Sequence, residues 1–354
     1  MYKKISEELI DFIKNSPTAF HAIDNISKRL KENGYEELLE GRRWNIKAGG
    51  KYFVTRNNSS IIALNIGTKL DNYSFNVAAS HSDSPTFKIK ENAEIEVRGK
   101  YTKLNTEGYG GMLCSTWFDR PLSIAGRVLV KEDDTYVTKL VDIDRDLVMI
   151  PNVAIHMNRK INDGYAYNKQ VDMLPLFGGS ESKPGDFNKL IAEKLGVQEE
   201  NIYGSDLYLY NRMAPSIWGA NEEFISSPKL DDLQCAFTSL EGFLKGSNEQ
   251  SINVFACFDN EEVYLAHDDT LFKNGRNGFA ITEEGIYCRE FMGEYTNYVT
   301  FEELAKAKRI YIDGSNIYAD DELIAYLSGS NSEKNDLKEL FETIAMYVGI
   351  NFDI

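Results

Sequence analysis

Three short apolar runs in this chain end in residues able to bind a cation. Residues 75–79 (FNVAA) stop at Ser80-His81-Ser82-Asp83-Ser84-Pro85, and residues 252–258 (INVFACF) stop at Asp259-Asn260-Glu261-Glu262. Residues 309–312 (RIYI) stop at Asp313. A fourth candidate, Asp231, stands in KLDDL at the start of a predicted helix, where the N-terminal dipole favours a carboxylate. Each has a bland reading when taken alone. A histidine at a strand end is usually a surface or hydrogen-bonded residue, and adjacent acids are ordinary loop and cap chemistry. The repetition is informative, because in open α/β sheets ligands bind beyond the carboxyl ends of the strands. One histidine with several carboxylates gathered there is the donor set of a two-metal hydrolytic site, whose ions sit about 3.5–4 Å apart and need a bridging carboxylate. Zinc would lower the pKa of its water to about 7, and a nearby glutamate could accept that water's proton.

The elements that must hold these residues follow from periodicity. MYKKISEELIDFIKNS carries charges inside its only apolar stripe, so it reads as an amphipathic helix and not a signal peptide. A second helix is predicted from near Ser16-Pro17-Thr18, burying Phe20, Ile23, Ile26 and Leu30 and stopping at Gly34. Strands are expected at 51–55 and 61–66, punctuated by Gly49-Gly50 and Asn57-Asn58. From about residue 87 to about residue 205 the texture changes to short alternating segments separated by Gly, Asn and Asp, which predicts a β-rich inserted domain. Later come helices at 229–244, 301–306 and 332–348, with buried-type strands at 252–258 and 309–312. The expected fold class is α/β, with a mixed sheet between helices built from residues 1–86 and 214–354, and residues 87–213 inserted.

Composition narrows the partners. The net charge of −16 disfavours nucleic acid and anionic membrane, both of which call for Lys/Arg surfaces. No window approaches the roughly 20 apolar residues of a membrane span. Cys114, Cys235, Cys257 and Cys288 are scattered without C-x-x-C spacing, which fits free thiols in a reducing cytoplasm.

The stretch SHSDSP (80–85) resembles the histidine metal motif of the aspartyl aminopeptidase family. Other stretches are similar and follow the family's order: SPTAFHA (16–22), GGKYFVTRN (49–57), YGGMLCSTWFDRPLSIAGRV (109–128), IPNVAIHMNR (150–159), NEEFISSPKLDDL (221–233) and FDNEEV (258–263). The resemblance implies a metal-dependent aminopeptidase that removes N-terminal residues from peptides by attack of a metal-bound hydroxide. It also implies up to two zinc ions, with cobalt or manganese as alternatives, and a homo-oligomer, commonly a dodecamer, whose inserted domain acts as lid and dimer contact. Carried over by position, His81 binds one metal and Asp83 holds its tautomer. Asp231 bridges the two ions, Glu261 is the general base and Glu262 a ligand of the second metal. His156 resembles a histidine that reaches a neighbouring subunit's site. Asp313 stands where a further ligand of the first metal is expected.

Departures from the family pattern leave alternatives open. Asp232 replaces an asparagine and is not expected to bind metal. Tyr264-Leu265-Ala266 replaces Gly-Ser after Val263, Asn316 replaces a histidine, and Ser115 replaces another. The family's last segment, with a Met-His-Ser motif completing the second metal's shell, has no counterpart before Ile354. His267 has no family spacing, and His21 lies in a helical motif with a structural reading. A catalytically impaired paralogue, acting as an oligomeric binding or structural protein, is therefore the alternative. A carboxylate pair for glycoside hydrolysis, using Glu261, Glu262 and Asp231, ranks last, since it leaves the histidine motif unexplained.

Overall fold

Amphipathic helices open the chain. In α1 (Tyr2–Lys14), Leu9, Phe12 and Ile13 form the buried stripe. In α2 (Ala19–Glu32), Phe20, Ile23, Ile26 and Leu30 recur at intervals of three and four and face inward. Thr18 is its N-cap, and the chain leaves through Gly34 at φ +80 with the Tyr35 N–H donating to Leu30 O at 3.1 Å, a left-handed exit that glycine favours.

This computed structural model describes residues 2–259 apart from 71–73, 134 and 248. Beyond these it describes 265–268, 278–281, 285–289, 296–313, 316–320, 322–326, 341, 344 and 351–353. Two compact units are present, Met1–Asn260 and Glu261–Ile354. The first continues with β1 (Glu36–Glu37), β2 (Lys51–Arg56), β3 (Ser60–Ile66), β4 (Ser74–His81), β5 (Thr86–Val97), β6 (Tyr101–Tyr109), β7 (Leu122–Glu132), β8 (Thr135–Asp142) and β9 (Leu176–Gly178). Then follow α3 (Asp186–Leu195), β10 (Ile202–Asn211), β11 (Ser216–Trp218), β12 (Phe224–Ser226), α4 (Leu230–Lys245) and β13 (Ser251–Phe258).

Two sheets organise this unit. The first is mixed, in the order β1-β2-β3-β13-β4, with β13 antiparallel to β3 and parallel to β4. Helices α1, α2 and α4 pack on one face of it, joining Phe12, Ile23, Leu30, Phe237 and Phe255 into one core. The second sheet is antiparallel, in the order β8-β7-β10-β5-β6-β9, and encloses its own core with α3. Gly126 lets β7 and β10 meet, since a Cβ there would lie 2.0 Å from Asp206 O. The α/β class read from the sequence is the class observed.

One strand differs from its sequence reading. The apolar run at 75–79 has the look of a buried strand, yet among the described residues β4 is the sheet's edge, with Phe75 59% and Val77 63% exposed. Apolar periodicity reports which residues share a face, and burial depends on whether another element covers that face.

The second unit holds β14 (Leu265–Asp268), β15 (Gly278–Ile281), β16 (Gly285–Arg289) and β17 (Thr296–Thr300) in an antiparallel meander. After α5 (Phe301–Leu304) comes a second sheet, ordered β20-β19-β18-β21, of β18 (Arg309–Asp313), β19 (Asn316–Ala319), β20 (Glu322–Tyr326) and β21 (Asn351–Asp353). Of the helix predicted at 332–348, only residues 341 and 344 are described. No helix among the described residues is long and apolar enough to cross a membrane.

Candidate metal centre

Parallel pairing of β4 with β13 sets Phe258 opposite His81, so both strands deliver their carboxyl ends to one edge of the sheet. The loop beyond β4 is stitched in place. Ser82 N–H donates to Phe258 O at 2.7 Å, Ser82 Oγ to Ser59 O at 2.6 Å, and Ser84 Oγ to Asp231 O at 2.8 Å. The last of these ties the loop to the entry of α4. There Lys229 is left-handed (φ +59), and Asp231 and Asp232 are non-helical (φ −88, ψ 109 and φ −117, ψ 15), turning both carboxylates toward the histidine.

His81 faces carboxylates at both ring nitrogens. Its Nδ1 lies 3.1 Å from Oδ1 of the buried Asp83, while Nε2 lies 3.4 Å from Asp231 Oδ1 and 3.7 Å from Asp232 Oδ2. Imidazole nitrogen and carboxylate oxygen are both zinc donors, and a nitrogen with two carboxylates suits that ion. His81, Asp231 and Asp232 therefore fit the ion.

Asp83 and Asp231 also line a cavity of about 630 Å³, bounded by the loop after β4, by residues of the antiparallel sheet and by the start of α2. Tyr109 and Asp259 line it too, the tyrosine hydroxyl donating to the carboxylate, and burial together with that carboxylate pushes the phenol far above its ordinary range. Lys229 Nζ donates to Ser16 O at 2.8 Å, and burial draws its ammonium down to about 7. Behind the site Cys257 is buried, and its thiol is pushed up to about 12 by burial.

Of the residues singled out by sequence, His81, Asp83 and Asp231 are brought together. His156 lies on an exposed stretch and is not among the residues lining the cavity. Glu261 and Glu262 lie outside the described residues. Asp313 ends β18, whose partners all fall within 316–353, in the second unit. Sequence reasoning missed the Tyr109–Asp259 bond and set Asp232 aside. The only signal for either was the acid itself, in FDNEE and in KLDDL.

The family model described as Aminopeptidase I zinc metalloprotease (M18) matches residues 12–266. A probable M18 family aminopeptidase 2 of Clostridium acetobutylicum is 46% identical over 266 residues, covering 73% of this chain and 61% of the relative. The chain thus spans about three fifths of the length of the curated relatives it matches. Among solved structures, mApe1 of Chaetomium thermophilum is similar with 30% identity and a TM-score of 0.69, over 75% of this chain and 64% of that one. The S. cerevisiae mApe1 dodecamer is similar with 25% identity and a TM-score of 0.63, over 73% of this chain and 61% of that one. With the family model spanning well over half of its length, the chain belongs to the Aminopeptidase I zinc metalloprotease (M18) family.

Proposed function

We propose that this chain is a metal-dependent aminopeptidase that releases N-terminal residues from peptides. The observation that carries the reading is His81, with Nδ1 on Asp83 and Nε2 3.4 Å from Asp231, beside a cavity large enough for a peptide end. Zinc bound there would supply Lewis acidity, acidifying a water and polarising the scissile carbonyl. Asp83 is the positioning residue, fixing the tautomer that leaves Nε2 free to bind. Asp231 would bridge two ions, and Glu262 would hold the second. Cobalt or manganese could replace zinc. Asp313 enters as a ligand through sequence resemblance alone.

Glu261 would take the proton of the attacking water and pass it to the leaving amine. Residues 87–213 would form a lid and dimer contact on a catalytic domain made of 1–86 and 214–354. A homo-oligomer is supported by Val153, Ile155 and Met157, exposed apolar residues flanking His156, and by the dodecameric state of one similar structure. His156 would then reach a neighbouring subunit's site. A cytoplasmic location is consistent with the free thiols of Cys114, Cys235 and Cys257.

The test is hydrolysis of aminoacyl-anilides with zinc, cobalt or manganese added. Glu261→Gln should lower turnover at least about 10²-fold with bound metal, measured by elemental analysis, unchanged. Full turnover in that variant refutes the proton-transfer role, and a wild-type chain that binds no metal refutes the reading as a whole.

A further inference from the structure

Asp231 and Asp232 are neighbours in sequence, but their side chains lie in different surroundings. The Asp231 side chain is 90% exposed, whereas that of Asp232 is 17% exposed. The sheltered Asp232 Oδ2 accepts the His81 backbone N–H at 2.9 Å and still lies 3.7 Å from His81 Nε2. A carboxylate oxygen has a second lone pair to offer after accepting one such bond.

Donor spacing makes this more than a hydrogen bond. One donor atom from each of His81, Asp231 and Asp232 lies within 4.8 Å of the other two. The separations of 3.4 and 3.7 Å from Nε2 compare with the roughly 3.3–3.6 Å edge of a tetrahedron whose bonds are about 2.0–2.2 Å, the zinc geometry for imidazole and carboxylate.

We propose that Asp232 is itself a metal ligand, forming with His81 and Asp231 a three-donor zinc site that draws on no residue beyond 232. This rests on reading the site as a metal centre and departs from the family pattern, in which an asparagine stands at this place. Three protein donors leave one tetrahedral position for water or substrate. A site of this kind would hold one ion whatever the state of Glu262 and the second metal.

The test compares the full-length chain with Asp232→Asn and His81→Ala in zinc titrations against a chromophoric chelator. Asparagine keeps the side chain's shape and an oxygen for the His81 N–H, so a role confined to that bond predicts unchanged affinity. The ligand role predicts at least about 10–100-fold weaker zinc binding, the loss typical of removing even an outer partner. Asp232→Asn binding within about twofold of wild type, with His81→Ala losing zinc, overturns the Asp232 assignment and leaves the metal centre standing. A His81→Ala variant that binds as many zinc equivalents as wild type, with the same affinity, overturns both. Visible absorption of the cobalt(II)-loaded wild type gives an answer even if a variant does not fold. Intense four-coordinate bands support the site, and weak six-coordinate bands overturn it.

Discussion

The two sheets of residues 2–259 divide the labour of the unit. The antiparallel sheet closes around its own apolar core and contributes one wall of the cavity. The mixed sheet buries one face under α1, α2 and α4, leaves apolar side chains of its edge strand in water, and brings the donors together at strand ends. The candidate donors therefore stand where strands and a helix terminate, and the other sheet is paired antiparallel throughout. The seam between them is tied by Arg127 of β7, which lies 4.4 Å from the centre of the Phe20 ring in α2 and donates to Asp206. Burial opposes ionisation of Asp206, but bonds from Lys88 and Arg127 outweigh it and hold the carboxyl below its ordinary value.

The sharpest way to break this contrast is to excavate each core in turn. Phe237→Ala, on the buried face of α4, and Leu104→Ala, in the antiparallel sheet, should each cost about 2–5 kcal/mol in denaturant unfolding. Only Phe237→Ala should also weaken zinc binding per folded molecule, because α4 carries Asp231 and Asp232. Equal zinc affinity in both variants would show that the donors do not depend on that helix.

Acid should strain the layer beside the cavity next. His21 is half-buried on α2, its Nδ1 is 2.9 Å from Thr18 Oγ1, and desolvation lowers its pKa to about 4. The unfolded chain takes up this proton near pH 6.5 while the folded one does not. Stability is thus complete above pH 6.5 and is lost as pH falls toward 4, by up to about 3 kcal/mol. Unfolding curves across that range should slope downward in the wild type and flatten in His21→Asn. The smallest effect is expected at the open edge, where Val77→Thr should change stability by no more than about 0.5 kcal/mol. A loss above 2 kcal/mol would mean that β4 is covered in solution.

Much of this was legible from residue patterns. The helices over Phe20 and Leu30, the Gly34 exit and the alternating segments of the second sheet follow from spacing and turn chemistry. His81, Asp83 and Asp231 could be placed because strand ends and a helix start collect ligands. The apolar run of β4 misled, since FNVAA reads the same in the middle of a sheet as at its margin. Which acid of KLDDL turns inward depends on two backbone conformations, which no composition or period encodes. The Tyr109–Asp259 bond spans 150 positions and has no local signature.

The bond from the His81 N–H to Asp232 joins residues 151 positions apart, with the whole antiparallel sheet in the intervening chain. Closing so long a loop costs entropy before any contact rewards it, and non-local pairings slow folding. The donors can therefore meet only after the intervening sheet has collapsed and β13 has docked beside β4. During synthesis a nascent chain ending before residue 232 has no competent pocket. A metal site built on these donors would then be completed late, after the amino-terminal unit has reached its final topology.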